Sequence, residues 1–140
     1  MDLTRQPPIV TYDAAAALVA EALTHARAND WNVAAVVVDP FGTIVAAGRL
    51  DGVPPPVFEM AADKALTTTL GKTTKAFMER MSDPALSLGL TSRPRLLAWE
   101  GGLPLRVGGV LVGGMGVSGA SGHQDADCVA TAIKAIGFDT

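Results

Sequence analysis

Between Gly101 and Asp127 the chain reads GGLPLRVGGVLVGGMGVSGASGHQDAD, and no other segment constrains its fold as tightly. Glycines at this density let a backbone approach another backbone, or a ligand, more closely than any side chain permits. A buried strand, Val110 to Val117, leaves through Ser118-Gly119-Ala120-Ser121-Gly122 into a helix with His123, Gln124 and Asp125 on its first turn. Free backbone N–H groups at such a turn suit an anion or a carboxylate. The segment is no Walker P-loop, because no GK[ST] follows the glycines. Gly114-x-Gly116-x-x-Gly119 spells a dinucleotide fingerprint, but its first glycine falls inside the strand and the chain lacks a βαβ order. Tight hairpins and close helix–sheet packing account for the glycines equally well. The Ser118–Gly122 turn is the part best suited to a ligand.

The rest of the chain supplies the elements around this run. Met1 to Pro8 reads as a loose arm. Thr11 can cap a helix from Tyr12 to about Asn29, whose residues Ala15, Leu18, Val19, Ala22, Leu23 and Ala26 form one apolar stripe. Val33–Val38 and Thr43–Gly48 flank the turn Asp39-Pro40-Phe41-Gly42 and predict an antiparallel hairpin. Pro54-Pro55-Pro56 delays the next helix until Val57; that helix extends to about Met81, with Gly71 a weak point able to split it. Ser82 to Pro94 reads as irregular. Arg95–Trp99, Leu103–Val107 and Val110–Val117 are three more strands, with Gly101-Gly102 and Gly108-Gly109 as hairpin turns, and a last helix covers about Gln124 to Ile136. The order α-β-β-α-β-β-β-α predicts an α+β fold in which one mostly antiparallel five-stranded sheet is flanked by helices.

At 140 residues the chain is long enough for one domain, 1–140, with a real core. Only 18% of residues are charged while 49% are hydrophobic, so further surface is expected to be hidden in a homo-oligomer. A net charge of −3 argues against nucleic acid or an anionic membrane as partner. The single Cys128 excludes an internal disulfide and a cysteine-rich zinc cage. With no signal peptide and no spanning segment legible, the expectation is a cytoplasmic protein.

Several side chains could carry chemistry. Arg49 and Lys64 could converge on a carboxylated ligand, with Asp51 beside them. His25, near the edge of the first helix's buried stripe, and His123, opening the last helix, could each ligate haem iron or move a proton, though a structural role competes for both. Asp125 and Asp127 complement a helix dipole. The threonines around Thr73 bond readily to their own backbone. Glu59, Glu79 and Glu100 form no spaced carboxylate pair, and neither a G-x-S-x-G elbow nor H-E-x-x-H occurs.

One set of motifs is more telling together than apart. Val38-Asp39-x-x-Gly42, Arg49-Leu50-Asp51-Gly52, Ala62-Asp63-Lys64-Ala65, Thr73, Gly101-Gly102-x-Pro104, and Gly116-Val117-Ser118-Gly119 with Asp125 resemble the GlcG/HbpS-like family. That family includes the haem-binding HbpS proteins and the C-terminal domain of PduO-type proteins. The resemblance runs from the first helix to the last. It implies a profilin-like arrangement, a five-stranded antiparallel sheet between helices, and assembly as a homo-oligomer. On this footing Arg49, Asp51, Lys64, Thr73, Gly102, Ser118, Gly119 and Asp125 become site candidates. His123 and Pro54-Pro55-Pro56 depart from the family pattern, and both flank the expected pocket.

Three functions follow as expectations. The first is an oligomer binding haem or a related tetrapyrrole, with His25 or His123 as axial ligand and Arg49 or Lys64 pairing a propionate. The second is a catabolic enzyme, an isomerase, hydratase or lyase. There Arg49 and Lys64 would hold a small anionic substrate, Ser118-Gly119 amides would stabilise an oxyanion, and His123 or Asp125 would move a proton. The third is a non-catalytic accessory subunit. An aromatic content of 5% speaks against a broad haem cleft, while the resemblance speaks for one.

Overall fold

The computed structural model describes residues 1–140. Helix α1, Tyr12–Ala28, opens where the Thr11 hydroxyl accepts the Ala14 amide, and its stripe of Ala15, Leu18, Val19, Ala22 and Ala26 is buried. Strand β1, Ala34–Val38, is buried at every position, as a continuous β-branched run in a central strand should be. The turn into β2, Ile44–Arg49, is held by Asp39, whose Oδ1 accepts the Phe41 and Thr43 amides, with Gly42 at φ +88°. Helix α2 spans Pro55–Thr67 and runs on through a single 3₁₀ turn, Thr68–Leu70. Gly71, at φ +89°, ends that run, and Thr73 caps α3, Thr74–Arg80, so the expected split falls at the glycine. Then follow α4, Pro84–Leu90; β3, Gly102–Val107; β4, Val110–Ser118; and α5, Gly122–Ile136.

Five corrections to the sequence reading have physical reasons. The sheet has four strands in the order β2-β1-β4-β3, all antiparallel, and not five. Arg95–Trp99 forms no strand: Leu96 N–H turns back to the Arg93 carbonyl and Leu97 N–H donates to the Thr67 hydroxyl, so this segment is tied to α2. Gly101-Gly102 is not a hairpin turn either. Gly101, at φ +131°, re-aims the chain and Gly102 already pairs with Gly116 in β3. The irregular excursion contains α4, opened by Asp83 accepting the Ala85 amide with Pro84 next to it. Finally, α2 begins at Pro55 rather than Val57, because the first helical amides need no partner and proline lacks only that amide.

The sheet lies between two layers. Register places Gly48, Ala35 and Val117 abreast, and the Gly48 position abuts Val19 and Leu23 of α1. On the opposite face Gly114 and Gly116 press on α2: a Cβ at Gly116 would lie 2.6 Å from the Ala65 nitrogen and would collide with the Ala61 carbonyl. The glycine run therefore serves close approach of a helix to a strand. It also carries β4 across the whole sheet and delivers Ser118 and the α5 turn beside α2. Cys128 of α5 sits in the core, where burial pushes its thiol up to about 12.

Candidate functional site

At the end of β4 a buried ion pair joins three elements. Lys64 of α2 and Asp125 of α5 are each about 3% exposed, with Nζ 3.0 Å from Oδ2. The ammonium also donates to the Val117 carbonyl at 3.0 Å and the Ser118 hydroxyl at 3.4 Å. Lysine has three protons to give, and all three are used inside the fold. The second carboxylate oxygen of Asp125 accepts the Ala120 amide at 3.0 Å. Burial pushes the Asp125 carboxyl above its ordinary value, against the pull of Lys64 and of the Ala120 amide, and the Glu100 charge adds to the rise. A side chain at Gly101 would meet Lys64 Nζ at 2.7 Å, so this glycine lets the chain pass directly over the pair.

The turn expected to offer bare amides is satisfied from within only in part. Ser121 and Gln124 form a reciprocal capping box, in which the Gln124 amide donates to the serine hydroxyl and the Ser121 amide to the glutamine side chain. With the Ala120 amide on Asp125, the Gly119, Gly122 and His123 amides are the ones here with no acceptor. A hollow of about 310 Å³ opens over the turn, walled by Met60 and Trp99 and floored by Lys64, Ser118, Gly119 and Asp125.

A second hollow, also about 310 Å³, lies on the other side of Glu100, between α3, edge strand β3 and α5. Leu103, Ala126 and Ala130 give it apolar walls, and Thr73, Gly102 and Asp127 complete its lining. Lys75 and His123 stand at its polar rim. The His123 side chain is 89% exposed, with Nδ1 3.8 Å from Glu100 Oε1. Thr73 itself spends its hydroxyl on the Ala76 amide as the α3 cap.

The sequence-predicted residues thus divide. Lys64, Ser118, Gly119 and Asp125 meet at the first hollow; Thr73, Gly102 and His123 meet at the second. Arg49 joins neither and donates to the Val53 carbonyl at 3.0 Å. Asp51 lies with Asn32 and Trp31 at a separate surface dip. His25 holds Asp127 of α5 through Nε2 at 2.7 Å and meets the Trp31 ring edge-on. Among the charged lining residues, the sequence reading named neither Glu100 nor Lys75 as a site candidate. Glu100 borders both hollows, and its one clue was its place before the Gly101-Gly102 pair. Lys75 carried no signal, since only the tertiary fold brings α3 toward α5.

These features define a class of small α+β protein, with an antiparallel sheet between helices and two hollows meeting at the start of its last helix. The chain belongs to the HbpS-like family: the family model described as haem degrading protein HbpS-like matches residues 10–134. Protein GlcG of Escherichia coli K12 is 34% identical over 110 residues, covering 79% of this chain and 81% of GlcG. Among solved structures, a double mutant of Streptomyces reticuli HbpS superposes with a TM-score of 0.87 at 29% identity, covering 96% of this chain and 91% of the other. A PduOC:heme complex superposes at 0.85, also at 29% identity, covering 94% and 98%.

Proposed function

We propose that this protein binds haem or a related tetrapyrrole in the hollow between α3, β3 and α5, with His123 as the axial ligand. The observation that carries this reading is an exposed imidazole at the rim of an apolar-walled hollow, in a chain similar to a haem-bound PduOC. The donor set fits the group. No cluster of three or more His, Cys, Asp or Glu side chains exists to cage a bare metal ion. Haem iron arrives with its four ring nitrogens and asks the protein for one or two more ligands. Leu103, Ala126 and Ala130 would meet the macrocycle, and Lys75, which also lines the hollow, would pair a propionate. Bound haem supplies a redox-active iron.

The remaining candidates take supporting roles in this reading. With its protons committed, Lys64 braces α2 against β4 and α5, so it neither pairs a propionate nor holds a substrate carboxylate. Asp125 completes that brace. His25 holds Asp127 at the hollow's edge, and in this reading His123 would be the residue that ligates the iron. Subunits of the same chain are expected to cover the exposed apolar residues. No helix is long and apolar enough to cross a membrane.

A visible titration of the purified protein with haem tests the proposal. A Soret shift saturating at one haem per chain is expected. His123→Ala should weaken binding at least tenfold, and His25→Ala should retain it. An unshifted Soret band at stoichiometric haem would end the haem reading, and an unaffected His123→Ala would move the ligand elsewhere.

A further inference from the structure

A third hollow, of about 220 Å³, lies among α3, α4 and the segment after α4, and shares no lining residue with the hollows at His123 and at the Lys64–Asp125 pair. Its walls are apolar, with Phe77 and Met81 on one side and Leu86 and Leu90 of α4 on the other. At its rim stand two arginines, Arg80 and Arg93. Neither guanidinium makes a salt bridge or a side-chain hydrogen bond, although Glu79 and Asp83 are close in sequence. No carboxylate lines the hollow. Helix α4 buries none of its residues, and two of its leucines, Leu86 and Leu90, border this unfilled hollow.

We infer that this hollow is a binding site for a small organic anion with an apolar body, a carboxylate joined to a short hydrocarbon tail. The unpaired charges are of one sign and belong to arginine, whose planar fork takes a carboxylate through two parallel hydrogen bonds. The apolar walls supply burial for the tail, and the tail supplies the packing that α4 lacks. A neutral hydrocarbon gains only the second interaction. An organic cation gains the second and loses against the first.

Calorimetric titration with octanoate, octanol and octylammonium separates these cases. Saturable octanoate binding is expected, at least tenfold tighter than that of octanol, with octylammonium weaker still. Replacing both arginines (Arg80→Gln with Arg93→Gln) should cost octanoate at least tenfold. Both side chains are exposed, so the fold should survive the change. Lys75→Gln, at the hollow beside His123, should leave octanoate binding unchanged. Equal affinity for octanol and octanoate overturns the assignment, as does loss of octanoate binding in Lys75→Gln rather than in the arginine variant. Self-association that disappears in the arginine variant without any octanoate uptake would instead make this face an interface between copies of the chain. The double arginine variant should still bind haem as the unaltered protein does, so this site and the haem reading fail independently.

Discussion

A lysine ammonium seldom lies buried in a small domain unless every proton has an acceptor, and Lys64 has found three. The pair it makes with Asp125 is costly to form and far costlier to break, because removing one partner leaves the other charged and dry. Lys64→Met alone should therefore destabilise the protein by about 3–5 kcal/mol, and adding Asp125→Leu should recover most of the loss, as measured by urea denaturation of the full cycle. The pH dependence has a defined sign. The folded Asp125 carboxyl titrates above its ordinary 3.8, so the folded chain keeps a proton that the unfolded chain has released. Its contribution to stability is full below 3.8 and falls as pH rises through the raised folded value. Denaturation from pH 3.5 upward should thus show the native protein losing stability relative to the double variant across that window. A gain over the same range would contradict the direction of the shift.

At the scale of elements, the glycines of β4 are spacing devices. Gly116 faces mostly α2 backbone, the Ala61 carbonyl and the Ala65 nitrogen, which cannot swing aside, while Gly114 faces the Thr68 side chain and the Ala65 carbonyl. Gly116→Ala should cost about 3 kcal/mol by overpacking, read as a lowered urea midpoint. Gly89→Ala is the matched control: its added methyl meets nothing within 4 Å, and helix propensity favours the alanine by up to about 1 kcal/mol. Much of this level was legible in the chain. The α1 stripe, the Asp39–Gly42 turn and the Gly71 break are local signals, written in adjacent residues. Helix α4 was written there too, in Asp83-Pro84, but Gly89 and Pro94 obscured it. Arg95–Trp99 misled because a short apolar run between Pro94 and Gly101-Gly102 suits a strand, while its amides are claimed by Thr67 and by a local turn. The site was less legible. Sequence brought Lys64, Ser118, Gly119 and Asp125 to one place, but the occupancy of their protons and amides is tertiary information. So is the arrival of Lys75 and Glu100 at the His123 hollow.

The whole molecule leaves both sheet edges, β2 and β3, without a covering strand. Large apolar side chains stand out around it: Leu88 is 73% exposed, Phe41 64%, Val107 55% and Trp99 53%. A chain with 18% charged residues has few means of screening that surface, and association of identical copies is the economical remedy. Val107 and Val110 flank the Gly108-Gly109 turn, beside the β3 edge, and Trp99 overlooks the Lys64–Asp125 floor. Cover at Trp99 would also narrow the mouth of the hollow over the Lys64–Asp125 pair. Light scattering of the purified protein at micromolar concentration should return twice 14.4 kDa or a higher whole multiple of it. Charged replacements at Val107 and Val110 should shift that mass toward the single chain while leaving the circular dichroism spectrum intact. A native mass of one chain would mean that the exposed apolar residues serve other partners and that each hollow is complete within a single subunit.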